Sequence, residues 1–233
     1  MVIFSRQRPG AGRHTPGRHA AHGSADQSAA TRRADREPLE VPAHGPYDVT
    51  AAPSDNLPRL DLGALLIPAV DGVELRVQAQ PGGQVQQIML VDGESSVHLG
   101  AFAAPRSEGV WDEIRTEITE SLAADGGRAS EVDGPYGPQL HARLPNGAEL
   151  RYVGIDGPRW FVRAVFQGAA ALDPDASPRL ALVLDGLVVV RGDQAMPVRE
   201  PLPLRLPKEM VAHMEANAAD ANADTGESEN PDG

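Results

Sequence analysis

The stretch Glu149-Leu150-Arg151-Tyr152-Val153-Gly154-Ile155-Asp156-Gly157-Pro158-Arg159-Trp160-Phe161-Val162-Arg163-Ala164-Val165-Phe166 decides how the chain is read. Two apolar-rich runs flank Asp156-Gly157-Pro158, and Asp-Gly between such runs is a strong short-range signal for a β-hairpin. Pro158 fixes its own φ and stiffens the corner. On the return run Trp160, Val162, Ala164 and Phe166 share one face, and Phe161, Arg163 and Val165 share the other. A strand this apolar on both sides belongs inside a sheet with something covering each face.

Outward from the hairpin, the N-terminal flank reads as strands separated by turn dipeptides. Leu60 to Val70 leads to Asp71-Gly72, then Val73, Leu75, Val77 and Ala79 alternate with polar residues. Val85 to Val91, Asp92-Gly93 and Ser95 to Ala103 repeat the pattern, so the spacing predicts antiparallel strands from Leu60 to Ala103. The period then changes: Trp111, Ile114, Ile118 and Leu122 form one helical stripe, Ser107 is a suitable N-cap, and Gly126-Gly127 a suitable stop. This predicts an amphipathic helix over 107–125 lying on one face of the sheet.

Beyond the hairpin, Asp173-Pro174 and Ser177-Pro178 each offer an N-cap followed by proline, and predict a short helix from Pro174 to Leu184. Leu187 to Arg191 reads as a buried strand. Pro197, Pro201, Pro203 and Pro207 make an extended strap with Leu202, Leu204 and Leu206 alternating. The fold class expected is therefore α+β: a mostly antiparallel sheet of six to eight strands, with one long amphipathic helix and one short helix packed on it.

Length and charge set the domain plan. The 233 residues allow one ordinary domain with tails, placed at 59–207. Residues 1–58 are poor in apolar periodicity and rich in Arg, Gly, Pro and His, which predicts a disordered basic arm; 208–233 predicts a disordered acidic tail. Seven arginines against four acids give residues 1–40 a charge of +3, and seven acids with no Lys or Arg give 209–233 a charge of -7. The segment 41–208 holds 14 basic against 22 acidic residues, or -8, which argues against nucleic acid as a partner.

Several chemistries find no support in the residues. The chain has no cysteine, which excludes disulfides and thiolate chemistry. It has no apolar run of the ~18 residues needed to span a bilayer and no secretory leader pattern, so no membrane partner is expected and the cytoplasm is the expected compartment. No phosphate-cradling glycine loop, zincin helix, EF-hand loop or nucleophile elbow occurs, and no cofactor or metal is implied. His14, His19 and His22 lie in a flexible-type tract whose composition accounts for them without a metal.

The residues with most binding potential are Asp156, Arg159, Arg163 and His141. Asp156 and Arg159 bracket the turn, Arg163 sits in an otherwise apolar strand, and His141, like His98, lies on a predicted strand. Arg151, Arg163 and Arg191 are arginines in apolar strands; each needs a carboxylate partner, or together they make an anion site. Turn formation, core packing and ordinary ion pairing account for all of these residues as well. With no catalytic constellation and arms of opposite charge, the chain reads as a non-catalytic module binding a protein partner or a second copy as a homodimer. The alternative is a small-anion binder or enzyme using the Asp156–Trp160 turn.

Five blocks carry a family resemblance: Arg59-Leu60-Asp61-Leu62-Gly63, Ala103-Ala104-Pro105-Arg106 with Trp111-Asp112-Glu113-Ile114-Arg115, Gly154 to Trp160, Val189-Val190-Arg191-Gly192-Asp193, and Leu202 to Pro207. Together they resemble an actinobacterial domain-of-unknown-function family over roughly 59–207. The resemblance implies a cytoplasmic protein with variable charged tails, and no activity, ligand or site residue.

Overall fold

A computed structural model describes residues 45–80, 83–106 and 109–212, together with the strand Val2–Phe4. Strands are β1 (Val2–Phe4), β2 (Tyr47–Asp48), β3 (Arg59–Asp61), β4 (Leu65–Pro68), β5 (Glu74–Ala79), β6 (Val85–Asp92), β7 (Ser95–Ala103), β8 (Arg128–Gly134), β9 (Gly137–Arg143), β10 (Glu149–Gly157), β11 (Trp160–Gln167) and β12 (Val188–Val189). The helices are α1 (Trp111–Ala124), α2 (Ala169–Leu172) and α3 (Pro178–Asp185).

The large sheet runs β5-β6-β7-β11-β10-β9-β8, antiparallel throughout, with β1 added at the β5 edge. The hairpin β10–β11 lies at its middle, as its two apolar faces require. Its register pairs Gly157 with Trp160, so the turn residues are Pro158 and Arg159, two residues later than an Asp-Gly-centred turn. The reason is proline. In an Asp156-Gly157-centred turn Pro158 would be the closing residue, and it has no N–H to donate to Ile155 O. Pro158 takes the first central place instead, and Arg159 carries the positive φ, 65°.

The Leu60–Val70 run does not join the same meander as β5 to β7. Gly63, at φ 82°, folds it back on itself, and β3 and β4 enter a second sheet ordered β2-β12-β4-β3. That sheet, α2 and α3 lie on the inner face of the large sheet. Between the layers Trp160, Val162, Ala164 and Phe166 meet Leu62, Leu65, Ile67, Leu180, Val183, Leu184 and Leu187 in one core. Trp160 is 2% exposed, and its indole N–H donates to Asp48 Oδ2 at 3.0 Å. Removing a ring of this size from water is worth about 1.5–3 kcal/mol.

Residues 45–58, expected in the N-terminal arm, are part of this body. Tyr47 and Asp48 pair in parallel with Val188 and Val189, and Leu57 is buried. Their polar composition concealed the contacts because two-residue strands have no periodicity to read. The rest of the expected arm, with His14, His19 and His22, and the tail from 213 onward lie outside the described residues.

The remaining helical expectations change in detail. The helix foreseen over 107–125 is α1, of 14 residues beginning at Trp111, with Trp111 and Leu122 its fully buried positions; this is a short helix rather than a long amphipathic one. Ser107 lies outside the described residues, and Asp156 caps α1 from another strand. The helix foreseen from Pro174 is a 3-10 turn, Pro174–Ala176, followed by α3. Ser177, at φ -145°, separates the two, its hydroxyl donating to Asp92 Oδ2 at 2.8 Å.

Candidate functional site

The outer face of the large sheet is divided. Phe161, Tyr152, Gly154, Asp156 and Leu140 lie on this face, and α1 covers it over β8, β9 and β10. Trp111 stacks on Phe161 at 6.0 Å, and Gly154 has no Cβ because one would meet the Trp111 ring at 2.2 Å. The indole N–H donates to Pro138 O at 2.6 Å. The Asp156 carboxylate accepts from the backbone N–H of Val110 at 2.8 Å and of Trp111 at 3.3 Å, which satisfies donors a helix start leaves unpaired.

Over β5, β6 and β7, and over β11 beyond Phe161, no helix among the described residues covers that face. Its side chains are Arg76 and Gln78, Gln87 and Met89, His98, then Arg163 and Val165, with Gly100 bare between them. Strands β6 and β7 stay paired from Asp92–Ser95 to Ile88–Leu99 and then part. The strap enters the gap: Leu202 N–H donates to Ala101 O at 2.9 Å, and Val85 N–H donates to Leu204 O at 3.0 Å. The parting leaves a cleft of about 460 Å³ walled by Gln87, His98, Phe102, Arg163, Val165 and Pro201. A second hollow of about 250 Å³ adjoins it and shares Gln78, Gln87 and His98.

The electrostatics of the cleft follow from its walls. The Arg163 guanidinium lies 5.2 Å from the Phe102 ring centre and makes no ion pair among the described residues. His98 Nδ1 is 2.8 Å from the Gln87 amide nitrogen; with that amide donating, the ring proton resides on Nε2. Burial holds the His98 pKa below its usual value, so the ring is neutral at pH 7. Glu74 is the carboxylate of this open half, and Arg76 holds it at 3.1 Å.

The four residues singled out from the sequence are not brought together. Asp156 caps α1. Arg159 Nη2 donates to Gly192 O at 2.8 Å, while its own carbonyl accepts from Arg191 Nε at 3.0 Å, so the turn secures the 191–194 segment. Arg163 stands in the open cleft. His141 pairs with Arg151 across β9–β10, and Arg151 with Phe166, which places His141 on the inner face, opposite Arg163. Asp156 and Arg163 share the outer face, but Asp156 is taken up by the start of α1 and Arg159 is held at the turn by Gly192, so the three do not converge.

Arg151 proves to be structural. It is 4% exposed, its Nε and Nη2 donate to Ala170 O at 3.0 and 2.7 Å, Nη1 donates to Gln139, and its guanidinium lies 4.0 Å from the Phe166 ring centre. Nearby, the Tyr136 hydroxyl donates to Asp185, and burial with that bond raises its pKa strongly. Sequence reasoning missed the cleft itself. His98 and Gln87 were visible only as polar residues on alternating strands, and the parting of β6 from β7 depends on the strap, 100 residues away in the chain.

A second cavity, of about 440 Å³, opens between the sheets and is lined by Leu60, Ile67, Val70, Leu75, Leu90 and Met210. Asp71 is its one charged wall residue, so it lacks the convergent polar groups that define a ligand's orientation. Among the described residues no group of three or more His, Asp or Glu could hold a metal ion, and no helix is long and apolar enough to cross a membrane.

These features define a mixed α/β protein built on a large antiparallel sheet, one half of whose outer face is left open around a polar cleft. The family described as Protein of unknown function (DUF3710) matches residues 45–213, and the chain belongs to it. The match includes every block that carried the resemblance. No curated protein matches the chain.

Proposed function

We propose that the protein is a non-catalytic interaction module and that its partner, another protein or a second copy of the chain, docks on the open half of the outer face. One observation carries the reading. In a segment, 41–208, of charge -8, the one carboxylate of this surface among the described residues, Glu74, is already paired, and Arg163, His98, Gln87 and Gln78 stand around the polar cleft. Interfaces are enriched in Arg and depleted in Asp and Glu relative to the rest of the surface. The arms of opposite sign support it by extending the charge available for association.

The test uses the full tagged chain. Parent protein and the Val165→Glu variant are compared by light scattering and by the proteins each retains from an extract of the source cell. Val165 is a partly buried cleft wall residue, so glutamate there places a charge in the docking surface with little cost to the fold. The parent self-associates or retains a partner, and the variant does neither. Equal behaviour of the two rejects the surface.

A small-anion site is the second reading, favoured by Arg163 alone, whose guanidinium faces the cleft without a carboxylate. It predicts chloride-competed binding of a simple carboxylate such as acetate or citrate to the parent and none to Arg163→Gln.

A further inference from the structure

The open half lies beside the place where the described chain ends. The strap lines the cleft through Pro201, Leu202 and Leu204. Residues 208–212 then form a helical turn that sets Val211 against Gly83, where a Cβ would lie 2.6 Å from the valine methyl. Gly83 precedes Val85, a cleft wall residue. The next 21 residues, 213–233, contain Glu215, Asp220, Asp224, Glu227, Glu229 and Asp232 and no Lys or Arg.

We propose that the cleft is the docking site of this acidic segment, with one of its carboxylates paired to Arg163 and hydrogen-bonded by His98 Nε2–H. The inference rests on reading the open half as a docking surface and names an occupant from the chain itself, which an outside partner displaces. Three observations converge. The receiving groups are present: a guanidinium with no ion pair among the described residues, and an imidazole whose Nδ1 is engaged by Gln87 so that Nε2 carries the donor.

Room is also present. Gly100, opposite Arg163 in register, lets the Phe102 ring lie over it, within 2.9 Å of where a Cβ would be, and that ring floors the cleft of about 460 Å³. Reach suffices as well. Two strand spacings, four residues of strand rise and the passage from the inner layer, where Met210 and Val211 pack, around the sheet to its outer face separate Val211 from Arg163, roughly 20 Å. The nine residues from Val211 to Asp220 span up to about 30 Å when extended. An unpaired arginine beside an aromatic ring is a strong receptor for carboxylate, since the fork of N–H donors matches its two oxygens.

The experiment keeps the chain whole. In an amide-tail variant the six acids 215, 220, 224, 227, 229 and 232 become Asn or Gln. The His98 ring is followed by NMR against pH in parent and variant, and a labelled peptide of residues 209–233 is titrated into each. A carboxylate at Nε2 favours the protonated ring, so the His98 pKa is expected to be higher in the parent. The peptide is expected to bind the amide-tail variant saturably, to bind the parent at least tenfold more weakly because the site is filled, and to lose at least tenfold in affinity when Arg163→Gln is added.

Identical His98 titrations together with no saturable peptide binding overturn the inference, as does peptide affinity unaffected by Arg163→Gln. An amide-substituted peptide that binds as well as the acidic one does so too. The two proposals fail separately: if the tail results are negative while Val165→Glu still abolishes association, the open half remains a docking surface for another occupant.

Discussion

The two halves of one sheet face differ in what their polar residues are engaged with. Over β10, β9 and β8 three polar contacts hold α1: Asp156 to its first N–H groups, the Trp111 indole to Pro138 O, and Arg115 to Glu131 at 2.8 Å. Over β5, β6, β7 and the part of β11 beyond Phe161 the same face has no covering helix among the described residues, and Arg163 has no carboxylate partner among them. Strand pattern is alike in both halves, so what separates them is whether a polar residue's hydrogen-bonding capacity is used inside the fold. Capacity that is satisfied contributes stability, and capacity left open at a cleft is available to a partner.

This contrast predicts how substitutions divide. The largest effect is expected beneath both halves, at the shared inner core. Trp160→Ala should cost about 3–5 kcal/mol in urea denaturation, a large share of the roughly 5–15 kcal/mol by which a domain is stable. It removes a buried ring and leaves Asp48 without its indole donor. A midpoint within error of the parent's would place the ring on a functional surface instead.

On the covered half, Gly154→Val drives a side chain into the Trp111 ring and should cost about 1–3 kcal/mol or more by overpacking. Asp156→Ala removes a helix cap and should cost about 1 kcal/mol, with the amide protons of the first turn of α1 exchanging faster while the core is unchanged. Asp156→Asn should recover most of the loss, because the amide oxygen still accepts. On the open half, Gln87→Ala and Arg163→Gln should change stability by less than about 0.5 kcal/mol.

An effect confined to low pH concerns the Asp55 carboxyl. Arg59 donates to both oxygens of Asp55, at 2.7 and 2.8 Å, and holds its carboxyl below the usual value against the opposing influence of burial. The folded pKa therefore lies below the unfolded value of about 3.9, so this contribution to stability is complete above pH ~4 and disappears as pH falls through the folded pKa. Asp55→Asn should flatten the acid limb of the stability profile below pH ~4 and cost about 1 kcal/mol or less at neutral pH. An unchanged acid limb would show that the pair is not linked to folding.

How much of this was legible depends on the range of each interaction. The hairpin β10–β11, its central place and the burial of Trp160 follow from alternation and turn chemistry within 18 residues, and they are observed. The α1 start was misplaced because its cap is Asp156, 46 residues distant, whereas a sequence reading looks for Ser107 close by. The second sheet was not legible because β2 and β12 have two residues each and acquire their pairing only from the folded layers. Of the site residues, Arg163 was recognisable as a charge in an apolar strand. His141 and Arg163 have the same polar-in-strand signature, and only the register shows that they face opposite sides.

The most direct test of the division is a crossed comparison of Asp156→Ala with the double variant Arg163→Gln/Val165→Glu, measuring the urea midpoint and association of the full chain in parallel. The account predicts that Asp156→Ala lowers the midpoint and still associates, while the double variant keeps the parent's midpoint to within about 0.5 kcal/mol and no longer associates. Loss of association in Asp156→Ala with full association in the double variant would contradict it.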